Sequence, residues 1–497
     1  MPATLLQPGV YIEEIPSGVR AITGVATSIA LFIGWAPRGP VDRARRVTSF
    51  ADYERAYGGL DGRSLLGYSV RQFFDNGGSD AYIIRIAAQS PDTPVAATAA
   101  CTFGGLSVPA SSPGKWAESF SVRMSPRTDD PTRFRLEVIV PANNDAVVET
   151  FENLSMTDTD PRFAPAVINR RSAFMDDLTV SAPTAPTSTT NAFTGGDDGK
   201  VIGPADGTFR TELQALFNVG SVADRIDLFN LVCVPGLTDA TTIQTLQTAC
   251  RERRAFLIVD SIEDETVTNM PGDLAGLTGA DALNSAIYYP WVKAPDPLQN
   301  GALRNFPPCG FVAGIYARTD STRGVWKAPA GSEASLTGAA GLALTMSEPE
   351  NGQLNPLGIN CLRSLPVFGN VVWGARTLHG DNSRGSEWKY IPVRRMALFL
   401  EESLYRATQW VVFEPNDEPL WAQIRLNIGA FLQGLFRQGA FQGRTPREAY
   451  FVKCDRETTT QADINLGIVN ILVGFAPLKP AEFVIIKIQQ IAGEIAT

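Results

Sequence analysis

Histidine is all but missing from this sequence: His379 is the only one in 497 residues. One imidazole cannot supply the two or three ligands of a histidine zinc site, and no nucleophile motif stands beside it, so a capping or solvent-facing role is expected. No GxSxG elbow occurs. Cysteines spaced CxxC are absent too; Cys101, Cys233, Cys250, Cys309, Cys361 and Cys454 are scattered. That spacing argues against a zinc ribbon or a small disulfide scaffold and predicts buried thiols in a reducing compartment. No apolar run reaches the ~18 residues that a membrane span needs, and the opening residues lack a basic stretch followed by an apolar one. These absences predict a chain made and folded in a cytoplasm, with no direct membrane insertion. Charge is modest as well: 19% of residues are charged and the net charge is -9 with both signs interspersed, which indicates no nucleic-acid partner.

What is present is apolar and globular. At 44% hydrophobic content and this length, two to four compact units are expected. "TSIALFIGWAP" (27 to 37) predicts a buried strand. Ser49 with Asp52 forms a capping-box pattern that starts a helix, and a second helix is expected from Leu65 to Asp75. "AYIIRIA" (81 to 87) predicts another buried strand, so this part reads as α/β. Composition shifts at 87 to 100. "FSVRMS" and "FRLEVIV" then predict short strands in a β-rich insertion over 97 to 200, closed by a polar linker at 181 to 200.

A second α/β unit follows at 201 to 350, with strands at 227 to 235, 255 to 260 and 285 to 292 and a helix from Asp239 to Arg254; a parallel sheet is the natural reading. Residues 318 to 360 show little periodicity. In the last part, 351 to 480, Pro392 opens a helix with Val393, Met396, Leu400, Leu404, Ala407 and Val411 on one face. Asp417 caps another carrying Trp421, Ile424, Ile428, Phe431 and Leu435. The fold class is therefore mixed α/β and multidomain.

Two stretches imitate catalytic motifs. "TGGDDGKV" (194 to 201) looks like a phosphate loop, but Walker A needs four residues between its glycines and Ser or Thr after Lys. Here three separate Gly195 from Gly199, and Val201 follows Lys200. "FLIVD" ends on Asp260 as a Walker B strand does, yet any buried strand ending in a carboxylate does the same. Catalytic residues, cofactors and metals are all expected to be absent, and a structural protein is favoured over an enzyme.

Two segments have no obvious local partner. "PGVYIEEIP" (8 to 16) reads as a short extended segment between two prolines, with Val10, Ile12 and Ile15 apolar among Tyr11, Glu13 and Glu14, ahead of any segment that could fold alone. "EFVIIKI" (482 to 488) follows a proline-containing break at 477 to 480.

Five blocks carry a family likeness: the stretch from Pro8 to Pro40, "PPCGFVAGIYARTDSTRGVWKAPA" (307 to 330), "LNPLGINCLRSLPVFGNVVWGARTL" (354 to 378), residues 388 to 424, and "NLGIVNILVGFAPLKPAEFVIIKIQQ" (465 to 490). They resemble, in order, the contractile tail sheath proteins of phages and bacterial injection particles. The resemblance implies a homo-oligomer of six-fold rings stacked as a helical sleeve around an inner tube protein, joined to baseplate and tail-terminator proteins. Contraction would come from subunit repacking without a cofactor or nucleotide. Such particles assemble in a bacterial cytoplasm and form part of a virion tail or of an extracellular or cytoplasmic contractile particle. Residues 97 to 200 fall where sheath proteins vary most, and an outward-facing position is implied.

On this reading the terminal segments 1 to 20 and 481 to 497 are strand arms. Val10, Tyr11, Ile12, Glu13, Glu14 and Ile15, and Glu482, Phe483, Val484, Ile485, Ile486, Lys487 and Ile488, would insert into sheets of neighbouring subunits. Residues 21 to 96 and 351 to 480 would form the sheath core. The helix from Leu420 to Gln438 corresponds to one that lies on the inner wall in the family, with Arg425, Gln433, Arg437 and Arg444 facing the tube. Two alternatives stand beside this reading: an enzyme binding a nucleotide or carbohydrate in the α/β unit, and one chain of a two-component type VI secretion sheath.

Overall fold

The computed structural model describes residues 21–89, 92 and 94–487. It holds two compact units, one of Ala26–Arg394 and one that combines the chain up to Val25 with Arg395 onward. The larger unit begins with β1 (Ala30–Gly34), β2 (Arg45–Val47), α1 (Phe50–Tyr57), α2 (Leu66–Asp75) and β3 (Ala81–Arg85). Ser49 caps α1 by accepting the Asp52 N–H at 3.2 Å, but the Asp52 carboxylate returns to Thr48 rather than to Ser49. The box predicted from sequence is therefore shared between two residues.

The insertion forms β4 (Ala100–Phe103), β5 (Leu106–Pro109), β6 (Ser121–Pro126), β7 (Phe134–Val140), β8 (Ala146–Leu154), α3 (Ala164–Ile168), β9 (Thr179–Val180) and β10 (Thr189–Ala192). Its strands make a four-stranded sheet in the order β10-β6-β7-β8 and a three-stranded sheet β4-β5-β9. Leu106, Val122, Phe134, Leu136 and Phe193 are buried in a core of its own. The polar linker expected at 181 to 200 is not one: β10 pairs antiparallel with β6, Thr190 opposite Arg123. Threonines suit a pleated, half-exposed strand, and cross-strand pairing outweighs the loop-like composition.

The chain returns through α4 (Gly207–Ala215), β11 (Leu231–Cys233), α5 (Ala240–Glu252), β12 (Phe256–Asp260), α6 (Met270–Asp273), β13 (Ser285–Tyr289), β14 (Val292–Asp296), β15 (Ala302–Phe306), α7 (Cys309–Arg323), β16 (Gly341–Leu342), α8 (Glu348–Leu354), β17 (Ile359–Leu365) and β18 (Gly369–Val372). An eight-stranded sheet runs β18-β17-β13-β12-β11-β1-β3-β2. Its six inner strands are parallel, with Ala30 opposite Leu231 and Ala81, and Ile287 opposite Ile359. Both faces are covered, which explains the unbroken apolar runs. Leu31, Ile33, Leu257 and Val259 face Ile243 and Leu246 of α5; Phe32 faces the other way, 5.4 Å from the Phe73 ring of α2.

β17 pairs with β13, so the expected boundary at 350/351 does not separate two units. The division lies instead inside α9 (Ile391–Ala407), between Arg394 and Arg395. Nor are residues 318 to 360 without regular structure. Helix α7 runs to Arg323, and Ser347 opens α8 with a complete capping box to Glu350.

The smaller unit contains the rest of α9, then α10 (Glu418–Arg437), α11 (Pro446–Ala449), β19 (Tyr450–Lys453), α12 (Gln461–Asn465) and β20 (Leu472–Phe475). Asp417 caps α10 by accepting the Leu420 N–H at 3.3 Å, with Pro419 in the first turn. Trp421, Ile424, Ile428, Leu432 and Leu435 form its buried face. β19 and β20 are antiparallel, with Phe451 opposite Gly474.

Candidate functional site

The α/β unit is closed where a ligand would be sought. In open parallel sheets, ligands bind at the carboxyl ends of strands where the strand order reverses, here between β1 and β11. Trp35, just past β1, is 2% exposed, and a Cβ at Gly236, just past β11, would lie 3.1 Å from Leu65 and 4.0 Å from Trp291. Asp260 does not face a ligand either. Its carboxylate accepts the backbone N–H of Cys309 at 2.8 Å and of Gly236 at 3.0 Å, and burial pushes its pKa up to about 6. It caps α7 with a charge belonging to the chain itself.

The remaining reactive candidates are likewise satisfied internally. His379 shares a 2.7 Å hydrogen bond through Nδ1 with the Ser386 hydroxyl, and burial holds its pKa below the ordinary value. All six cysteines are buried and unpaired; burial pushes the thiols of Cys101 and Cys361 up to about 12 and that of Cys454 up to about 11, the reverse of an activated nucleophile. "TGGDDGKV" is held to the base of the insertion: Thr194 bridges Ala100, Asp197 bridges Ala97, and Lys200 pairs with Asp206 at 2.8 Å. No cluster of His, Cys, Asp and Glu suited to a metal occurs among the described residues, and no helix there is long and apolar enough to cross a membrane.

A run of four consecutive exposed apolar residues lies in the smaller unit. Residues 482–487 form no strand, and Phe483, Val484, Ile485 and Ile486 are 74%, 81%, 82% and 80% exposed. Four consecutive large apolar side chains in water are costly, each worth about 1.5–3 kcal/mol once buried. The segment follows β20 through Pro477 and Pro480, and among the described residues β19-β20 is a two-stranded sheet, which alone is marginal in water. The N-terminal side meets the same unit. A Cβ at Gly24 would lie 2.7 Å from the Phe399 ring, and the Val25 N–H donates to Ser403 Oγ at 3.2 Å. The predicted arm residues Val10, Tyr11, Ile12, Glu13, Glu14 and Ile15 lie outside the described residues, as does Ile488.

Helix α10 departs from the basic face expected of it. The Arg425 guanidinium pairs with Glu418 at 2.6 Å and donates to the Cys454 carbonyl, so it is turned into its own unit. Seven residues are two helical turns, which places Glu418 within reach of a long arginine side chain. Gln433 accepts the Tyr450 hydroxyl at 2.7 Å. Arg437 and Arg444 are exposed and form no ion pair among the described residues; the Arg444 backbone N–H donates to Glu448 at 2.8 Å. Leu426, 51% exposed, sits among Ala422, Gln423 and Ala430 on the outer side. Sequence spacing had marked Arg425 as polar and available, but the Glu418 pairing was a legible signal two turns away.

Residues 225–378 match the family described as the phage tail sheath protein central domain, and residues 383–491 the phage tail sheath C-terminal domain, together just over half the chain. The chain belongs to the phage tail sheath family. It is 26% identical over 328 residues to a prophage major tail sheath protein of Pseudomonas aeruginosa, covering 64% of this chain and 77% of the relative. A Vibrio phage KVP40 tail sheath protein is 27% identical over 190 residues, covering 36% of this chain and 28% of that protein. Among solved structures, the sheath complex of the extracellular contractile injection system PVC in its contracted state superposes with a TM-score of 0.62 at 23% identity, covering 98% of each chain. The anti-feeding prophage helical sheath in its contracted state gives 0.60 at 24% identity, covering 97% of this chain and 99% of the other. At such identities the likeness establishes the fold: a mixed α/β sheath architecture along almost the whole chain.

Proposed function

We propose that this chain is the structural subunit of a contractile sheath, built as hexameric rings around an inner tube protein and bounded by baseplate and tail-terminator proteins. The sheath shortens when identical subunits repack, which drives the tube through a target envelope. The stroke needs no cofactor or bond-breaking chemistry, because the free energy resides in the difference between two packings. Subunits assemble in a bacterial cytoplasm, and the finished particle is a virion tail or a contractile injection particle.

The exposed Phe483–Ile486 run carries this reading. Beside it stands a two-stranded sheet that gains stability from further strands, and a second copy can supply them: residues 482–488 from one neighbour and residues 10–15 from another. Backbone hydrogen bonds would hold the inserted strands, while alternate side chains fix their register. Burying those four apolar side chains outweighs surface ion pairs at ~0–1 kcal/mol each, so the arms dominate subunit linkage. The segment 476–480 lets the bodies swing while the strands stay paired.

On the inner wall, the outer side of α10 with Arg437, and Arg444 shortly after the helix, contact the tube. Deleting residues 1–20 tests the strand exchange: folded protein that forms no tubes in negative-stain micrographs is expected, and normal tubes from that truncation would defeat it.

A further inference from the structure

The crossing between the α/β core and the insertion is held by arginines in a way that composition does not reveal. Arg85, at the end of β3, is 1% exposed and forms no ion pair among the described residues. Its guanidinium is satisfied by carbonyls alone. Nε donates to Ala36 at 2.6 Å, Nη1 to Gly39 at 2.8 Å and to Pro113 at 2.9 Å, and Nη2 to Pro37 at 3.3 Å. Three of these carbonyls belong to the loop after β1 and one to the insertion. A buried charge is tolerated only where its donors are all answered, and the planar fork of arginine fixes the positions of the groups that answer it.

Three more arginines cross the same seam. Arg38 donates to the Ala173 carbonyl at 3.0 Å, with its guanidinium 4.0 Å from the Trp116 ring centre and 5.0 Å from that of Phe174. Arg43 pairs with Asp176 at 3.1 Å, and Arg63 with Asp198 at 3.2 Å. The backbones approach closely enough that a Cβ on Gly114 would lie 2.4 Å from the Pro37 carbonyl oxygen. The Gly39 N–H donates to Ser112 Oγ at 3.0 Å, and the entering and leaving strands bridge each other at Ala97 and Asp197.

We propose that these arginines form a latch, with Arg85 as its central pin, that makes the inserted β-domain and the α/β core one cooperative rigid body. A largely exposed ion pair such as Arg63–Asp198 contributes little alone, whereas removing a partner from buried carbonyls costs more. A movement of the core then carries the insertion with it, and no hinge operates at residues 94–100 or 194–200. The latch stands on contacts within this chain and does not depend on the assembly proposed above.

Native-state hydrogen exchange on the full chain in increasing denaturant tests it. The wild type is expected to open β6 and β7 in the same step as β1 and β3. Arg85→Lys keeps the charge but has three donors in place of five, so β6 and β7 amides should exchange at least about tenfold faster, the effect of roughly one lost charged hydrogen bond, while β1 and β3 hold. If Arg85→Lys does not fold, the Arg38→Ala/Arg43→Ala double variant should show the same separation to a smaller degree. Opening of β6 and β7 well before β1 and β3 in the wild type would overturn the latch, and so would variants in which the two sets stay together.

Discussion

Asp260 accepts the backbone N–H of Cys309 at 2.8 Å, placing a buried carboxylate on the first residue of α7. Its other oxygen takes the Gly236 N–H at 3.0 Å, and no cation pairs with it among the described residues. Burial is the larger influence, so its folded pKa of about 6 lies above the ordinary carboxylate value. Between the two values the folded chain holds a proton that the unfolded chain has released. Stability contributed by this group is therefore present below pH 4, falls as pH rises, and is lost above pH 6.

The first prediction follows from that sign. Between pH 7 and pH 5 the wild type should gain about 1 kcal/mol relative to Asp260→Asn, roughly one pKa unit of linkage. Denaturant melts of both proteins across that range check it, and a pH-independent difference would contradict the assignment.

Helices α2 and α7 pack with backbone nearly touching backbone. A Cβ on Gly310 would lie 2.5 Å from the Ser69 carbonyl oxygen, and one on Gly314 2.6 Å from that of Phe73. Neither site can give way, because the obstacle is main chain. Gly310→Ala and Gly314→Ala should each cost about 1–3 kcal/mol in thermal or denaturant unfolding, whereas Gly272→Ala, where no atom lies within 4 Å, should cost far less.

The three arginines that the resemblance placed against the tube should separate into two classes. Arg425→Ala breaks the Glu418 pairing and the Cys454 carbonyl contact and should lower stability by about 1–2 kcal/mol. Arg437→Ala and Arg444→Ala are surface changes expected to shift stability by less than about 0.5 kcal/mol. If the outer side of α10 meets the tube, co-sedimentation of sheath with tube should weaken in the second pair while their melting curves stay unchanged.

Legibility in the sequence followed how local each signal was. The Asp239 and Asp417 caps mark the starts of α5 and α10 because a side chain and an N–H three residues on settle the matter. The all-apolar strands at Ala30–Gly34 and Phe256–Asp260 are visible because both their faces are buried. Helix α7 escaped because Cys309 to Ala317 are buried all round, leaving no polar face to give a period. The strand at Thr189–Ala192 exists through its pairing with β6, which no local pattern encodes. Arg425 and Gln433 looked available because their partners Cys454 and Tyr450 depend on how α10 meets the chain around β19, although the Glu418 partner of Arg425 lies two turns away on the same helix. The Phe483–Ile486 run has a strand-like pattern in the sequence, yet it forms no strand among the described residues and stays exposed.

The most direct test compares amide exchange of residues 482–487 in the isolated subunit with that in assembled tubes. Tethering by these arms predicts rapid exchange in the subunit and strong protection in the tube, confined to alternating ladder positions wherever one strand edge stays open. Equally rapid exchange in both states would mean that the segment is not a linking strand, and the account of how the copies are joined would fail.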